Sequence, residues 1–88
     1  MNLNKEEIKQ KIKEYIANEY RIAPEMLDET ANLFEEGIID SIAMHGLIIF
    51  LEKTFEVKFE EKRFFEPRFT CIEGMAAIIA DIKENQDN

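Results

Sequence analysis

Ser41 is the side chain best placed for chemistry in this sequence. It follows Asp40 at the point where an acidic loop gives way to apolar residues in helical spacing. The pattern predicts that Asp40 caps a helix through a free N–H group of its first turn, and that Ser41 is the first helical residue with its hydroxyl free. A phosphate attached to that hydroxyl would lie at the positive end of the helix dipole, beside unpaired N–H groups.

His45 supplies two further arrangements to consider. Ser41 and His45 would share one helix face as a nucleophile and a base, and Cys71 with His45 is a second pair. Neither pair has a third residue placed to orient the imidazole or a recognisable oxyanion loop. A small hydrolase using Ser41 and His45 is therefore only an alternative, Cys71 is interpreted as a small residue at a helix start, and no catalytic residue is assigned.

Acidic residues are concentrated in front of Ser41. The 88-residue chain has a net charge of -8, and residues 24–42 hold six acids without a base: Glu25, Asp28, Glu29, Glu35, Glu36 and Asp40. Such a surface repels nucleic acid and anionic membranes and attracts basic partner surfaces, although the same pattern also fits a solvated loop. These acids lack the alternating oxygen ligands and central glycine of a calcium loop, so no metal is assigned.

The length of the chain predicts one small domain with little room for an enclosed substrate pocket, which disfavours a self-sufficient enzyme. The single cysteine excludes an intramolecular disulfide and fits a reducing compartment. No apolar run has membrane-spanning length, and the N-terminus lacks the hydrophobic segment of a signal peptide. We therefore expect a cytoplasmic monomer without membrane insertion, with its core at about residues 4–83 and a polar tail at 84–88.

Helical periodicity predicts an all-α domain, a small four-helix bundle with three main helices and a short third helix. Helix I should run from about Lys5 to Tyr20, with Asn4 as its cap. Helix II should span about Ser41 to Thr54. The short third helix should span about Glu60 to Phe65 and end where Pro67 restricts the preceding residue.

A capping box predicts the start of the last helix. Thr70 is followed three residues later by Glu73, directly ahead of an apolar run. The helix should cover about Cys71 to Lys83, with one apolar stripe formed by Ile72, Met75, Ala76, Ile79 and Ile82.

The connection between helices I and II is long for so small a domain, which usually marks a functional or specially packed loop. Pro24 should begin a single helical turn, and Gly37 should allow a positive φ. Apolar residues recur along the connection, so we expect it to lie folded against the helices through Ile22, Met26, Leu27, Leu33, Phe34, Ile38 and Ile39.

Helix II has more apolar residues than one core-facing stripe needs. The predicted stripe consists of Met44, Leu47, Ile48, Leu51 and Phe55. Ile42, Ile49 and Phe50 are left to pack under the third helix or to face a partner. Further along, the core is expected to be closed by Val57, Phe59, Phe64, Phe65 and Phe69, with an apolar slot for an acyl chain as the alternative.

The string Leu33-Phe34-Glu35-Glu36-Gly37-Ile38-Ile39-Asp40-Ser41-Ile42 resembles the modification site of acyl and peptidyl carrier proteins. In that family a serine inside an Asp-Ser-Leu-like triplet receives 4'-phosphopantetheine from coenzyme A. The stretch Leu51 to Val57 is similar to the family's helix end before a short apolar turn, and Phe69-Thr70 precedes a last helix as it does there. The resemblance covers roughly Ile8 to Ile82.

The resemblance implies a stand-alone carrier modified on Ser41, with Asp40 supporting it as a cap and in recognition by the transferase. Such a carrier is not an enzyme and shuttles thioester-bound acyl or aminoacyl intermediates between enzymes. Its partners would be a phosphopantetheinyl transferase, an acyl- or aminoacyl-loading ligase and downstream acyl-processing enzymes. They would dock on helix II at Ile42, His45, Gly46 and Ile49. The alternative is a carrier-like interaction module that is never modified.

Two positions of helix II depart from fatty-acid carriers, which typically have acidic residues shortly after the modified serine. Those positions are Ala43 and Gly46 here, and both His45 and Gly46 are unusual inside a helix. The departure favours a dedicated, specialised biosynthetic pathway over general fatty-acid synthesis. Gly46 would also let a partner or another helix approach the backbone closely.

Overall fold

Three α-helices form the fold, joined by a long first connection and a shorter second one. In this computed structural model, which describes residues 4–86, they are α1 (Lys5–Tyr20), α2 (Ser41–Phe55) and α3 (Ile72–Gln86). Short 3₁₀ helices lie in the connections at Pro24–Met26, Glu61–Phe65 and Pro67–Thr70. Residues 4–86 contain no strand, so the predicted all-α class is confirmed.

Within residues 4–86, none of the helices is both long and apolar enough to cross a membrane.

α1 begins and ends where its sequence predicts. The Asn4 side chain accepts a hydrogen bond from the Glu7 N–H at 2.9 Å, which supplies a partner to one of the free donors of the first turn. Arg21 closes the helix at φ 54°, in the left-handed region. The apolar stripe is buried, at Ile8, Ile12 and Ile16.

The first connection is anchored by some of its apolar residues and not by others. Pro24 begins the predicted helical turn, and Leu27, Leu33 and Ile39 are buried. The prediction of burial is wrong for Met26, which is 74% exposed, and for Phe34, which is 39% exposed. A turn of three residues presents only part of its side chains to the core, and Leu27 occupies the core position next to Met26.

Two backbone hydrogen bonds join the first connection to the start of α3. The Leu33 N–H donates to the Thr70 carbonyl at 2.8 Å, and the Glu73 N–H donates to the Glu29 carbonyl at 2.9 Å. On its other side, Glu29 pairs with Lys9 of α1 at 3.5 Å. The first connection is therefore held by α1 on one side and by the start of α3 on the other.

α2 starts at Ser41 as predicted and continues to Phe55. Leu47, Leu51 and Phe55 are buried, and Met44 and Ile48 are partly buried beside them. Phe50 does not lie under the third helix, because its ring stacks on Tyr15 of α1 with 4.1 Å between the ring centroids. This stack joins α1 and α2 on that side.

The predicted third helix is present as a 3₁₀ helix, Glu61–Phe65, and a second one follows at Pro67–Thr70. Pro67 keeps Glu66 in an extended conformation at ψ 134°, so the first segment ends where the sequence predicts. A segment this short gains too few hydrogen bonds to form a stable α-helix, which is why the tighter helix replaces it.

The aromatic residues of this region only partly close the core. Val57, Phe59 and Phe69 are buried, and Phe64 packs edge-on against Phe69 at 5.4 Å. The prediction is wrong for Phe65, which is 80% exposed, and Phe64 itself is 39% exposed. Because a 3₁₀ helix has three residues per turn, neighbouring residues cannot both face the core.

An ion-pair network fixes these 3₁₀ helices to α3. Arg68 lies 2.6 Å from one Glu66 oxygen and 3.3 Å from Asp81 of α3, while Arg63 lies 3.0 Å from the other Glu66 oxygen. Hydrogen bonds from Arg68 and then Arg63 lower the pKa of Glu66 below its ordinary value. The same contact with Glu66 is the largest cause of the raised pKa of Arg68.

The predicted capping box at the start of α3 is wrong. Thr70 ends the preceding 3₁₀ helix, and its hydroxyl donates to the Pro67 carbonyl at 2.7 Å. Cys71 takes the cap position instead, and its Sγ accepts a hydrogen bond from the Gly74 N–H at 3.3 Å. α3 runs to Gln86, so residues 84–86 continue the helix instead of forming a tail, and residues 87–88 lie outside the described residues.

Gly74 sets how closely α3 meets the segment before it. A β-carbon at this position would overlap the Arg68 carbonyl oxygen and lie 2.7 Å from the Arg68 Cα. Only glycine fits there. Every residue of the predicted stripe of α3 is buried, at Ile72, Met75, Ala76, Ile79 and Ile82, and α3 packs against α1.

Candidate functional site

The candidate site is the start of α2. The end of the first connection holds this helix start in place. Ile39 is buried and Ile38 partly buried, so these two side chains hold the chain against the core just before the helix. Gly37 adopts φ 76°, which lets the chain turn into them. Ser41 follows as the first residue of α2 and is exposed.

Asp40 caps α2. Its Oδ1 accepts a hydrogen bond from the Ala43 N–H at 2.8 Å, and its carbonyl accepts one from the Met44 N–H at 2.9 Å. Within the described chain this leaves the N–H groups of Ser41 and Ile42 without partners. An anion bound at the Ser41 hydroxyl would therefore lie beside free donors at the positive end of the helix, which fits a phosphate ester.

The surface leading to Ser41 is acidic. Glu35, Glu36 and Asp40 are all exposed, and the acidic loop is ordered by its own hydrogen bonds, with the Asn32 side chain accepting from Phe34 N–H at 2.9 Å. Tyr20, at the end of α1, lies near enough to feel this charge. Burial is the main cause of its raised pKa, and Asp40 is among the neighbours that raise it further.

The four residues of α2 expected to meet partners differ in exposure. Ile42 is 85% exposed, Ile49 is 44% exposed, and His45 is exposed between them. Gly46 is partly buried, and a β-carbon there would meet the Tyr15 hydroxyl at 3.6 Å, an ordinary contact distance. The two isoleucines therefore present apolar surface to solvent on the outer side of α2.

The arrangements considered for catalysis are not assembled. No side-chain hydrogen bond joins Ser41 to His45 among residues 4–86, and neither residue lines a cavity described there. Cys71 uses its sulfur to cap α3. The Asp28 carboxylate accepts from the Thr30 N–H and hydroxyl, which lowers its pKa, and the described chain brings together no group of three His, Cys, Asp or Glu side chains suited to a metal.

One feature beside the site was not visible in the sequence. A groove of about 310 Å³ runs between α1 and α2, with the stacked rings of Tyr15 and Phe50 in its wall. Phe50 lies outside the predicted core stripe of helix II, and spacing within one helix does not reveal a pairing between helices. The other described cavity, of about 200 Å³, is lined mostly by polar side chains near Lys58 and Arg63.

The comparisons with known proteins agree with this geometry. Residues 10–79 match the family described as "Phosphopantetheine attachment site", a stretch that includes most of α1, all of α2 and half of α3. A comparison with curated proteins gives no match. The chain therefore belongs to the phosphopantetheine attachment site family and is a carrier protein with covalently attached 4'-phosphopantetheine.

Proposed function

We propose that the prosthetic group is attached to Ser41 and that the chain shuttles thioester-bound acyl or aminoacyl groups between separate enzymes. The observation that carries this proposal is the exposed Ser41 hydroxyl at the capped, positively polarised start of α2. Ser41 is also the only serine of the chain, and it lies inside the matched residues 10–79.

Attachment requires one nucleophilic step, for which a phosphopantetheinyl transferase supplies the catalytic groups and the metal. The Ser41 hydroxyl oxygen attacks the phosphorus of coenzyme A that bears the pantetheine arm. The new Ser41 oxygen–phosphorus bond replaces the bond to the second phosphate, adenosine 3',5'-bisphosphate leaves, and the hydroxyl proton passes to a base of the transferase. The chain must therefore present Ser41 without enclosing it, as its exposure allows.

Each neighbour of Ser41 has a part in this presentation. Asp40 fixes the helix start through its hydrogen bond to the Ala43 N–H, and the free N–H groups of Ser41 and Ile42 favour the phosphodiester charge. The exposed acids Glu35 and Glu36 attract a transferase with a basic surface. When bound, the prosthetic group supplies a terminal thiol on a flexible arm, and the thioester forms there.

The same proposal extends to partners and setting. A loading ligase and downstream acyl-processing enzymes would meet the outer face of α2 at Ile42, His45, Gly46 and Ile49. Because Ala43 and Gly46 bring no acids to this face, we propose a specialised pathway instead of general fatty-acid synthesis. We further propose that the carrier works as a cytoplasmic monomer of one domain and has no catalysis of its own.

Intact mass after incubation with coenzyme A, magnesium and a broad-specificity phosphopantetheinyl transferase tests the attachment residue. The parent chain should gain the mass of one phosphopantetheine, and Ser41→Ala should gain none. Ser41→Ala should also keep its melting temperature, because the substitution leaves the Asp40 cap and the buried residues of α2 in place.

Thr54→Ala is the matched control, since it removes another exposed hydroxyl of the same helix. It should be modified like the parent. A folded parent chain that gains no mass would contradict attachment and favour the unmodified interaction module. Modification of Ser41→Ala would place the group on another residue, and a large fall in its melting temperature would show that Ser41 is structural.

A further inference from the structure

Gly46 leaves a gap at the edge of the exposed face of α2, beside Tyr15 of α1, that the fold does not require. Outside the backbone of its own helix, a β-carbon at Gly46 would meet only the Tyr15 hydroxyl, at 3.6 Å. At Gly74, by contrast, a β-carbon would overlap the Arg68 backbone. Glycine is less favourable than alanine in a helix interior, so neither packing nor helix formation accounts for Gly46.

Apolar side chains surround this gap. The neighbours of residue i on a helix surface are residues i−4, i−3, i+3 and i+4, and around Gly46 these are Ile42, Ala43, Ile49 and Phe50. Ile42 and Ile49 stand exposed, while Phe50 is supported from below by its stack on Tyr15. The result is a hole with the α2 backbone as its floor, these apolar side chains around it and the Tyr15 hydroxyl at one edge, of the kind that receives a single side chain from a facing surface.

Charge indicates what the hole can receive. Residues 41–51 contain no Asp, Glu, Lys or Arg, so an inserted charged group would form no ion pair with one of these residues there. Directly before them stand the exposed acids Glu35, Glu36 and Asp40. A matching protein surface has an apolar side chain for the hole and basic residues on the side that faces Ser41.

We propose that the phosphopantetheinyl transferase seats an apolar side chain in the hole over Gly46, which makes Gly46 a residue that determines how well the transferase accepts this chain. The inference rests on the proposed attachment at Ser41. Gly46 is five positions after Ser41, about 7.5 Å along the helix axis, so a protein seated at Gly46 also covers Ser41. The transferase is the one partner that must engage the chain before any cargo is loaded.

The test compares kcat/KM of a broad-specificity phosphopantetheinyl transferase, with coenzyme A and magnesium, on the parent chain and on Gly46→Ala and Gly46→Leu. Filling the hole with leucine should lower kcat/KM about tenfold or more, mainly through KM, and alanine should lower it less. Thr54→Leu, which adds an apolar side chain at the far end of α2, should react like the parent.

Stability separates this role from a structural one. Gly46→Ala should raise the melting temperature by about 4–8 °C, because alanine favours the helix and fits the available space. A slower reaction of this more stable variant therefore cannot come from unfolding, even if Gly46→Leu proves too disruptive to fold.

The outcomes are distinct. If Gly46→Ala and Gly46→Leu react with the parent's kcat/KM, the proposal that the transferase inserts a side chain over Gly46 is overturned, while attachment at Ser41 stands. If the folded parent is not modified, the proposed function is contradicted, and so is the proposed binding of the transferase at Gly46.

Discussion

α2 and α3 are equally long, at 15 residues each, but they use their apolar residues differently. α3 buries seven residues, whereas α2 buries only Leu47, Leu51 and Phe55. α2 is no less apolar in sequence, since it also carries Ile42 and Ile49, which stand exposed. The apolar side chains of α3 are therefore used within the fold, while α2 keeps apolar surface available for a partner beside the proposed attachment residue.

The glycines of the two helices show the same difference. Gly74 is required because the Arg68 backbone occupies the space of a β-carbon, while a β-carbon at Gly46 would make only an ordinary contact with the Tyr15 hydroxyl. The packing of the fold thus explains why residue 74 of α3 is a glycine, and a proposed function explains why residue 46 of α2 is one. Substitutions that act on one helix and not the other can break or sharpen this contrast.

The largest effect is expected for Gly74→Ala. The added methyl group would overlap the Arg68 carbonyl oxygen, so either α3 or the preceding 3₁₀ helix must move. We expect a loss of about 4 kcal/mol or more in the free energy of unfolding, measured by urea denaturation. A loss below about 1 kcal/mol would show that the contact relaxes easily and that the two glycines do not differ in kind.

A pair of substitutions within α2 should separate its two faces. Leu51→Ala removes a fully buried side chain and should lower the free energy of unfolding by about 3 kcal/mol. Ile42→Ala removes an exposed one and should change it by less than about 0.5 kcal/mol. Thermal and urea unfolding of both variants would measure the difference, and a comparable loss in Ile42→Ala would mean that this side chain is packed.

The caps of the two helices should differ in strength. Asp40→Ala removes a carboxylate acceptor 2.8 Å from its donor and should cost about 1 kcal/mol. Cys71→Ala removes a sulfur acceptor 3.3 Å from its donor, and sulfur is a weak acceptor, so its loss should be smaller. Asp40→Ser retains a capping oxygen without the charge and should restore stability. An equal or larger loss in Cys71→Ala would reverse the predicted order.

The smallest effect is expected for the ion pairs of Glu66, which help to fix the 3₁₀ helices to α3. Their contribution to the free energy of unfolding should depend on pH. The pKa of Glu66 is lowered from 4.5 by Arg68 and Arg63, so its contribution to stability is complete above that value. It is lost as the pH falls through the lowered folded value. The difference in urea midpoint between the parent chain and Glu66→Gln should therefore shrink on acidification below about pH 4.5. A constant difference from pH 7 to pH 3 would contradict this assignment.

The elements with local signals were predictable from sequence. Asn4, which caps α1 through the Glu7 N–H, correctly predicted the start of that helix. Asp40 predicted the start of α2, and Pro24 predicted the helical turn between them. In each case the structure depends on residues within one helical turn of each other. The candidate site was predictable for the same reason, because an exposed first residue of a capped helix is a local property.

The region of residues 60–74 was less predictable because its segments compete. The Thr70 side chain could either cap α3 or hydrogen-bond within the preceding 3₁₀ helix. In the structure its hydroxyl donates to the Pro67 carbonyl of that 3₁₀ helix, and the Cys71 sulfur caps α3 instead. The exposure of Phe65 and the overlap at Gly74 depend on how that helix packs on α3. Spacing along one segment carries no information about such contacts.

The hydrogen bond from the Leu33 N–H to the Thr70 carbonyl pairs two residues that bracket α2 in the chain. This hydrogen bond therefore joins the two ends of the stretch that contains Ser41 and all of α2. Leu33 is buried, so its amide hydrogen can exchange with deuterated solvent only when this hydrogen bond opens. The exchange rate of this one amide therefore reports how often the contact between the two ends of the Ser41 stretch opens.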